Sequence, residues 1–330
     1  MGRAMQRLFL YALTGLSLGL GSIEAPKADS YPAKPITVVV PFAAGGPSDT
    51  IARVLVEEMR KSLGQPLIVE NLVGAGGSVG TRRVANAAPD GYSLTIGNWS
   101  THVANGAIYS LHYDVLADFS PIALLPTESL LITVRKSMPA NNVQELIAWL
   151  KAHPNQATVG TSGVGGPSHV AALLFEKMTG TTLQLVPYRG AGPALQDLVS
   201  GQVDMMITGP SIALQQMQNG NIKILAVAAK TRLASLPEIP TVDEIGLSGF
   251  YVPVWHAVWA PKDTPAGIIA KLNASVRQAL ADPAARKRYA DLGLDFPSSD
   301  QLTPEALGAF QKAEIEKWWP IIKAAGIKAQ

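Results

Sequence analysis

The chain has 330 residues, of which 47% are hydrophobic and 16% are charged, so it can bury the cores of two ordinary domains. Its 27 basic and 25 acidic residues give a formal charge of +2 without a long basic run, which argues against nucleic acid or an anionic membrane surface as a partner. The absence of cysteine excludes disulfides, a lipid-anchor thiol and cysteine-ligated metals.

The first 28 residues have the pattern of a secretory signal peptide. Arg3 and Arg7 precede the apolar run LFLYALTGLSLGL, which small residues follow, with Ala25 and Ala28 as candidate cleavage positions. The run has 13 residues, fewer than the roughly 20 that a membrane-spanning helix needs. We therefore expect an exported protein that begins near Tyr31 and has no stable membrane insertion after cleavage.

Predicted strands and helices then alternate along the chain. The run ITVVVPF from Ile36 predicts a buried strand, and SDTIARVLVEEMRKSLG, whose apolar residues recur at helical spacing, predicts a helix that ends at Gly64. The next predicted strand is QPLIVEN, followed by a loop and helix at SVGTRRVANAAPDG and a third strand at YSLTIGN. This alternation indicates a largely parallel sheet with helices on both faces.

The same pattern restarts in the middle of the chain. A strand at SLLITVRK and a helix at NNVQELIAWLKAHP lead to a strand and turn at ATVGTSGVGG, after which three helices alternate with three strands as far as IKILAVAA. A last strand, YVPVWHAVWAP, and two helices close the chain. Both SLLITVRK and YVPVWHAVWAP are candidate crossing strands between two lobes.

We therefore predict an α/β fold of two lobes, each built on a mostly parallel sheet flanked by helices, with a ligand cleft between them. Lobe I is predicted to contain residues 31–133 and 255–330, including the C-terminal helices. Lobe II is predicted to contain residues 134–254.

The sequence Gly-Gly-Pro-Ser occurs twice, at Gly45–Ser48 and at Gly165–Ser168, each time between a predicted strand and a predicted helix. Glycine allows backbone conformations closed to other residues, and proline at the first helical position lacks an N–H that would have no partner there. The remaining N–H groups and the positive end of the helix dipole suit an anion. One such turn is equally well explained as a simple connection between a strand and a helix, but two turns that face each other across a cleft predict a carboxylate site.

Motifs of nucleotide and metal sites are missing from the sequence. GAGGSVG has Val79 where a dinucleotide fingerprint needs glycine, and no P-loop, metalloprotease or calcium-loop motif occurs. We therefore expect no cofactor and no metal. Gly76–Gly80 matches G-x-S-x-G with Ser78 as the nucleophile, which leaves a secreted serine hydrolase as an alternative, although no spacing selects a partner among the five histidines.

Six blocks of sequence carry a family resemblance: YPAKPITVVVPFAAGGPSDTIAR, NLVGAGGSVGTRRVANAAPDGYSLTIG, GTSGVGGPSH, VPYRGAGPALQDLVSGQVDMMI, LPEIPTVDEIGLSGF and EIEKWWPIIKAAGIK. From about Tyr31 to the C-terminus, the sequence resembles the Bug (TctC-like) periplasmic solute receptors of tripartite tricarboxylate transporters. The resemblance implies a type II-like periplasmic binding protein fold that closes around a small carboxylate and delivers it to a membrane permease. It also implies a periplasmic, non-enzymatic protein, and we expect a monomer.

The resemblance further implies where the ligand binds. In the family, main-chain N–H groups of the turn after the first strand contact the ligand, and a turn and an acid of the other lobe complete the site. That acid is here Asp204, which is either a ligand acceptor, acting through water, or a loop acid that holds the local backbone. The predicted ligand-binding residues are Phe42, Ala43, Ala44, Gly45, Gly46, Ser48, Ser78, Trp99, Ser100, Thr101, Ser162, Gly163, Gly166, Ser168, His169, Tyr188 and Asp204.

Selectivity is predicted to depend on GNWSTHVAN, which follows the third strand and so belongs at the mouth of the cleft. Trp99 there would stack on an aromatic ligand such as terephthalate, or else it is a structural tryptophan packed against the loop to Tyr113. Tyr188 would add a second ring. Transport and sensing through a signalling receptor would use the same closed lobes, so the sequence does not separate them.

Overall fold

A computed structural model describes residues 31–324 and 326. The predicted signal peptide, residues 1–28, lies outside the described residues. No helix in the described part of the chain is long and apolar enough to span a membrane.

The sheet of lobe I takes its five strands from two separate parts of the chain. They are β1 (Ile36–Val40), β2 (Leu67–Asn71), β3 (Ser93–Asn98), β4 (Phe119–Leu124) and β12 (His256–Pro261), in the order β2-β1-β3-β12-β4. β1 is parallel to β2 and β3, whereas β12 is antiparallel to both of its neighbours, β3 and β4. Four strands therefore share one direction, and β12 runs the opposite way.

The sheet of lobe II comes from the middle of the chain. Its strands are β6 (Leu131–Arg135), β7 (Thr158–Thr161), β8 (Gln184–Pro187), β9 (Met205–Thr208) and β10 (Ile222–Val227), in the order β10-β6-β9-β7-β8. β7 is parallel to β8 and β9, and β6 is antiparallel to β9 and β10. This sheet also has four strands in one direction and one in the other.

Helices flank both sheets. Lobe I has α1 (Pro47–Leu63), α2 (Ser78–Ala85), α3 (Asn105–Ile108), α8 (Ala266–Ala281), α9 (Pro283–Asp291) and α10 (Pro304–Ala324), with short 3-10 or π segments at Ala75–Gly77, Ser100–Ala104 and Ser299–Leu302. Lobe II has α4 (Val143–Ala152), α5 (Pro167–Thr179), α6 (Ala191–Ser200) and α7 (Pro210–Gln218).

The two sheets have the same topology, which explains the repeated turn. Read from one edge, lobe I runs β2-β1-β3-β12-β4 and lobe II runs β8-β7-β9-β6-β10, with the antiparallel strand in fourth place in both. β1 and β7 occupy equivalent places, and a copy of Gly-Gly-Pro-Ser connects each of them to a long helix, α1 or α5. The predicted two-lobed α/β fold is confirmed.

Two short strands lie where the chain passes between the sheets. β5 (Glu128–Ser129) precedes β6, and β11 (Pro253–Val254) precedes β12. β5 and β11 pair in antiparallel orientation, with Glu128 opposite Val254. The predicted boundary between residues 133 and 134 falls within β6, and that between residues 254 and 255 falls between β11 and β12.

A buried amide, that of Gln311, helps to hold helix α10 against the sheet of lobe I. Trp259 of β12 stacks on the ring of His102, with 3.5 Å between ring centroids. Gln311 of α10, which is 2% exposed, accepts a hydrogen bond from the indole N–H of Trp259 at 3.1 Å and donates to the carbonyl groups of His102 and Val115 at 2.9 and 2.8 Å. The side chain of Gln311 thus satisfies three buried polar groups.

We expect Gln311→Leu to lower the free energy of unfolding by about 2–4 kcal/mol, because leucine leaves these three groups buried without a partner. Urea unfolding of the wild type and the variant at one pH measures the difference. Lys312→Leu, at the next and exposed position of α10, is the control and should change stability far less. A Gln311→Leu variant as stable as the control would contradict this account.

Candidate ligand-binding cleft

A small cavity lies between the lobes at the carboxyl ends of their strands. It is lined by Phe42, Gly46, Pro47, Ser48, Asn98 and His256 of lobe I, by Leu130, Ser162, Pro167, Ser168, Ala191, Ile207, Thr208 and Gly209 of lobe II, and by Glu128 and Val254 of the crossing strands. Its volume is about 40 Å³, and further gaps between the lobes open beside it.

The lobes touch at two places near this cavity. The turn at Ala43 and Ala44 lies so close to Gly190 and Gly192 of lobe II that a Cβ atom on Gly190 would come within 3.1 Å of the backbone nitrogen of Ala43. The hydroxyl of Tyr109 donates a hydrogen bond of 2.7 Å to the carbonyl of Val164. The structure is therefore a closed arrangement of the lobes.

The polar side chains of the lobe I wall, Ser48, Asn98 and His256, are uncharged. Ser48 Oγ lies 3.0 Å from Nε2 of His256, and Asn98 Nδ2 lies 3.5 Å from the same hydroxyl. Burial lowers the pKa of His256 to about 3, so its imidazole is neutral at physiological pH. Its Nδ1 has no hydrogen-bond partner among the described residues. The Ser48–His256 pair therefore lacks the orienting group that activates a nucleophile.

The lobe II wall presents two serine hydroxyls at the start of α5. Ser168 Oγ accepts a hydrogen bond of 2.6 Å from the backbone N–H of Ser162 and donates one of 2.9 Å to the Ser162 hydroxyl. The N-cap residues of α1 and α5 are Gly46 and Gly166, neither of which supplies a side-chain cap. Both long helices thus begin at the cavity with N–H groups that suit an anion.

Each copy of the turn is closed by the residue that follows its serine. The backbone N–H of Gly45 donates to Oδ2 of Asp49 at 2.9 Å, and that of Gly165 donates to Nδ1 of His169 at 3.1 Å. Burial lowers the pKa of His169, which favours the neutral ring that this acceptor role needs. His169 therefore stabilises the turn through the N–H of Gly165 and does not line the cavity.

Burial alone would raise the pKa of Asp49. Hydrogen bonds from Arg53, from the N–H of Gly45 and from Asn71 outweigh burial and hold the pKa of Asp49 below its usual value. Asp49 is therefore ionised at neutral pH and caps its turn as a carboxylate.

Glu128 was missed by the sequence reasoning. It is 1% exposed, and its Oε2 accepts a hydrogen bond of 2.7 Å from the hydroxyl of Ser211, at the start of α7. Burial raises the pKa of Glu128 to about 7, although hydrogen bonds from Ser211 oppose the rise. The sequence contains a third turn of this kind, Gly209-Pro210-Ser211, after β9. Its serine is the residue that bonds to Glu128, so this turn was the one signal of a further polar group at the cleft.

Five predicted residues line the central cavity: Phe42, Gly46, Ser48, Ser162 and Ser168. Others lie in the flanking gaps between the lobes, with Gly163 and Tyr188 on one side, Ala44 and Gly45 on the other, and Ala43 against Gly190. Gly166 is the N-cap of α5. The two turns are thus brought together as expected from their repetition.

The structure places Trp99 in the core of lobe I instead of the cleft. Its side chain is 3% exposed and meets the ring of Trp318 edge-on at 5.1 Å, because the chain turns inward directly after β3. Ser100 and Thr101 are fully buried, and both bond to Asn98, which itself reaches the cavity. Asn98 is thus the residue of this segment that lines the cavity.

Asp204 and Ser78 also lie away from the cavity. Asp204 precedes β9 and so lies at the opposite end of the sheet, where it pairs with Arg135 at 2.7 Å and accepts the N–H of Thr158 at 2.8 Å. Ser78 lies in a separate groove of lobe I. Its Oγ is bonded to Asn105 at 3.2 Å, and no histidine among the described residues bonds to it. Asp204 therefore holds local backbone, and Ser78 has no base.

We expect Glu128 to make stability depend on pH. Its pKa is raised from 4.5 to about 7, so the stabilisation by the protonated carboxyl is complete below pH 4.5 and is lost as the pH rises to about 7. The free energy of unfolding of the wild type, relative to Glu128→Gln, should fall by about 3 kcal/mol over this interval.

Urea unfolding of both proteins at a series of pH values measures this difference. Glutamine keeps the size of the side chain and an acceptor for Ser211 but does not titrate. Subtracting the two curves cancels the titration of the buried His102 and His256, which both proteins share. Curves that stay parallel between pH 4.5 and about 8 would contradict the expected titration.

The chain matches the family model described as tripartite tricarboxylate transporter family receptor (TctC) over residues 51–327. It is 41% identical over 302 residues to a UPF0065 protein from the TAR-I ttuE-ttuC' intergenic region of Agrobacterium vitis. The aligned residues make up 92% of this chain and 87% of that protein.

Two solved structures are similar over almost the whole described chain. The periplasmic binding protein BugD has a TM-score of 0.87 and 38% identity, covering 91% of this chain and 100% of BugD. MatC from Rhodopseudomonas palustris, solved with bound malate, has a TM-score of 0.85 and 40% identity, covering 88% of this chain and 100% of MatC. These matches confirm the resemblance drawn from the sequence blocks, and the chain belongs to the TctC family of tripartite tricarboxylate transporter receptors.

Proposed function

We propose that this protein is a periplasmic solute-binding protein that captures a small mono- or dicarboxylate between its lobes and delivers it to a tripartite tricarboxylate-type membrane permease. The observation that carries the proposal is the pair of helix starts, of α1 at Gly46 and of α5 at Pro167, on opposite walls of one cavity. Their N–H groups and helix dipoles favour a negative group on the ligand.

The side chains of the cavity support the same conclusion. No lysine or arginine among the described residues lines it, and its polar groups include the hydroxyls of Ser48, Ser162 and Ser168. Hydroxyl and backbone donors form charge-assisted hydrogen bonds with a carboxylate. A ligand held in this way is bound without a buried salt bridge, which suits a receptor that must also release its ligand.

Lobe closure links ligand binding to recognition by the permease. The contacts of Ala43 with Gly190 and of Tyr109 with Val164 join the two lobes, so they exist only when the cleft is closed. A ligand that contacts both walls shifts the population toward this closed form. The closed form then presents the joined surface of both lobes to the membrane partner.

We favour a short aliphatic carboxylate as the ligand. The cavity is small, and Trp99, the residue expected to stack on an aromatic ring, packs in the core of lobe I. MatC, which has the same fold at 40% identity, was solved with malate. Terephthalate remains the aromatic candidate in the ligand panel below.

Ligand affinity should depend on the serines of both walls. We expect the protein from Tyr31 onward to bind malate, succinate, adipate or terephthalate in a thermal-shift screen, followed by titration calorimetry of the ligand that shifts melting most. Ser48→Ala and Ser168→Ala should each weaken binding by about 10-fold or more, because the first removes a hydroxyl of the cavity wall and the second removes the hydroxyl that orients Ser162 there.

Ser78→Ala is the matched control, since Ser78 lies in a separate groove and should leave affinity unchanged. Equal affinities of all three variants would contradict the proposed site. Turnover of an ester substrate that disappears in Ser78→Ala would instead favour the hydrolase.

The closed form should depend on the bond between Tyr109 and Val164. We expect Tyr109→Phe to weaken ligand binding by about threefold to tenfold, because a hydrogen bond made only in the closed form contributes about 0.5–1.5 kcal/mol. Tyr113→Phe is the control, since the Tyr113 hydroxyl has no hydrogen bond to any described residue of lobe II. Equal affinities of the two variants in calorimetry would show that this bond does not stabilise closure.

A further inference from the structure

Glu128 is a buried acid in the wall of a cavity that we propose to bind acids. It is 1% exposed, and it lines the cavity beside Gly209 and Val254. No lysine or arginine of the described residues pairs with it, and its hydrogen bonds come from Ser211. An acceptor without a counter-charge therefore borders the ligand space.

The carboxyl group of Glu128 occupies the start of a third helix. α7 begins with Pro210, as α1 and α5 begin with proline, and the Ser211 hydroxyl bonds to the carboxylate at 2.7 Å. A Cβ atom on Gly209 would overlap this carboxyl group, so only glycine leaves room for it. The starts of α1 and α5 thus face the ligand space without a carboxyl group of the described residues bound to them. The start of α7, in contrast, already holds the carboxyl group of Glu128.

The crossing strands do not require an acid at this position. Glu128 pairs directly with Val254 of β11, which lines the same cavity with an apolar side chain. An apolar residue at 128 would fill the crossing without burying a carboxyl group, which is costly unless the group has partners. The crossing of the chain therefore does not by itself account for the acid, which caps α7 and also borders the ligand space.

We propose that Glu128 makes the cleft selective for carboxylates that carry a hydrogen-bond donor, a hydroxyl or an ammonium group, next to a carboxylate. This inference rests on the proposed function. When Glu128 is ionised, a ligand carboxylate bound at the starts of α1 and α5 repels it unless a hydrogen-bond donor lies between them. A donor on the ligand replaces that repulsion by a hydrogen bond, whereas a plain methylene group leaves the acid unpaired.

Three ligands with one carbon skeleton test this selectivity. Aspartate, malate and succinate are four-carbon dicarboxylates that carry an ammonium group, a hydroxyl group or hydrogen at the second carbon. Titration calorimetry at about pH 8.5, where Glu128 with its pKa of about 7 is ionised, gives their dissociation constants for the wild type and for Glu128→Gln, which retains an acceptor for Ser211 but no charge. The ratio of the succinate constant to the aspartate constant should fall at least about tenfold in the variant, with malate between.

An equal effect of Glu128→Gln on all three ligands would overturn the inference and leave Glu128 as a cap of α7 only, while the proposed function would stand. If Glu128→Gln does not fold, Ser211→Ala decides: it keeps the acid and removes a donor, so the preference for aspartate over succinate should increase. An unchanged preference in Ser211→Ala would overturn the inference. The inference fails if the wild type binds neither these three ligands nor the five-carbon series glutamate, 2-hydroxyglutarate and glutarate. If the wild type binds no carboxylate at all, the proposed function is contradicted as well.

Discussion

The cleft depends on two helix starts whose backbone N–H groups no side chain caps. In both turns the first glycine, Gly45 or Gly165, has a φ of 75°, which is the left-handed region that favours glycine. Proline at the first helical position then removes an N–H that would otherwise need a partner. The positive ends of two long helices are therefore directed at one cavity, and no lysine or arginine in the part of the chain that the structure describes lines its wall.

The two turns reach the same geometry with different chemistry. Asp49 accepts the N–H of Gly45 as a carboxylate that is supported by Arg53 and Asn71, whereas His169 accepts the N–H of Gly165 through a neutral ring nitrogen. The hydrogen bond needs an acceptor at the fourth position after the glycine, and either group supplies it. This explains why the residue after each serine is polar although neither lines the cavity.

Pairing of the crossing strands decides how these two turns meet. β5 and β11 lie between the sheets and contribute Glu128 and Val254 to the cavity wall, so the connection between the lobes is also part of the site. The antiparallel strands β6 and β12 follow directly and enter equivalent places in the two sheets. Movement of one lobe against the other therefore changes the surroundings of Glu128 together with the distance between the helix starts.

The sequence by itself determined the alternation of strands and helices, the two lobes and the repeated turn, because hydrophobic periodicity and glycine-proline spacing are local properties of the chain. It also indicated Ser48 and Ser168, since both belong to a local motif. Only the tertiary structure decided that Trp99 packs inward and that Asp204 lies at the far end of its strand. It alone brought Glu128, Asn98 and His256 to the cavity, because these residues come from distant strands and their meeting depends on how the two sheets pack.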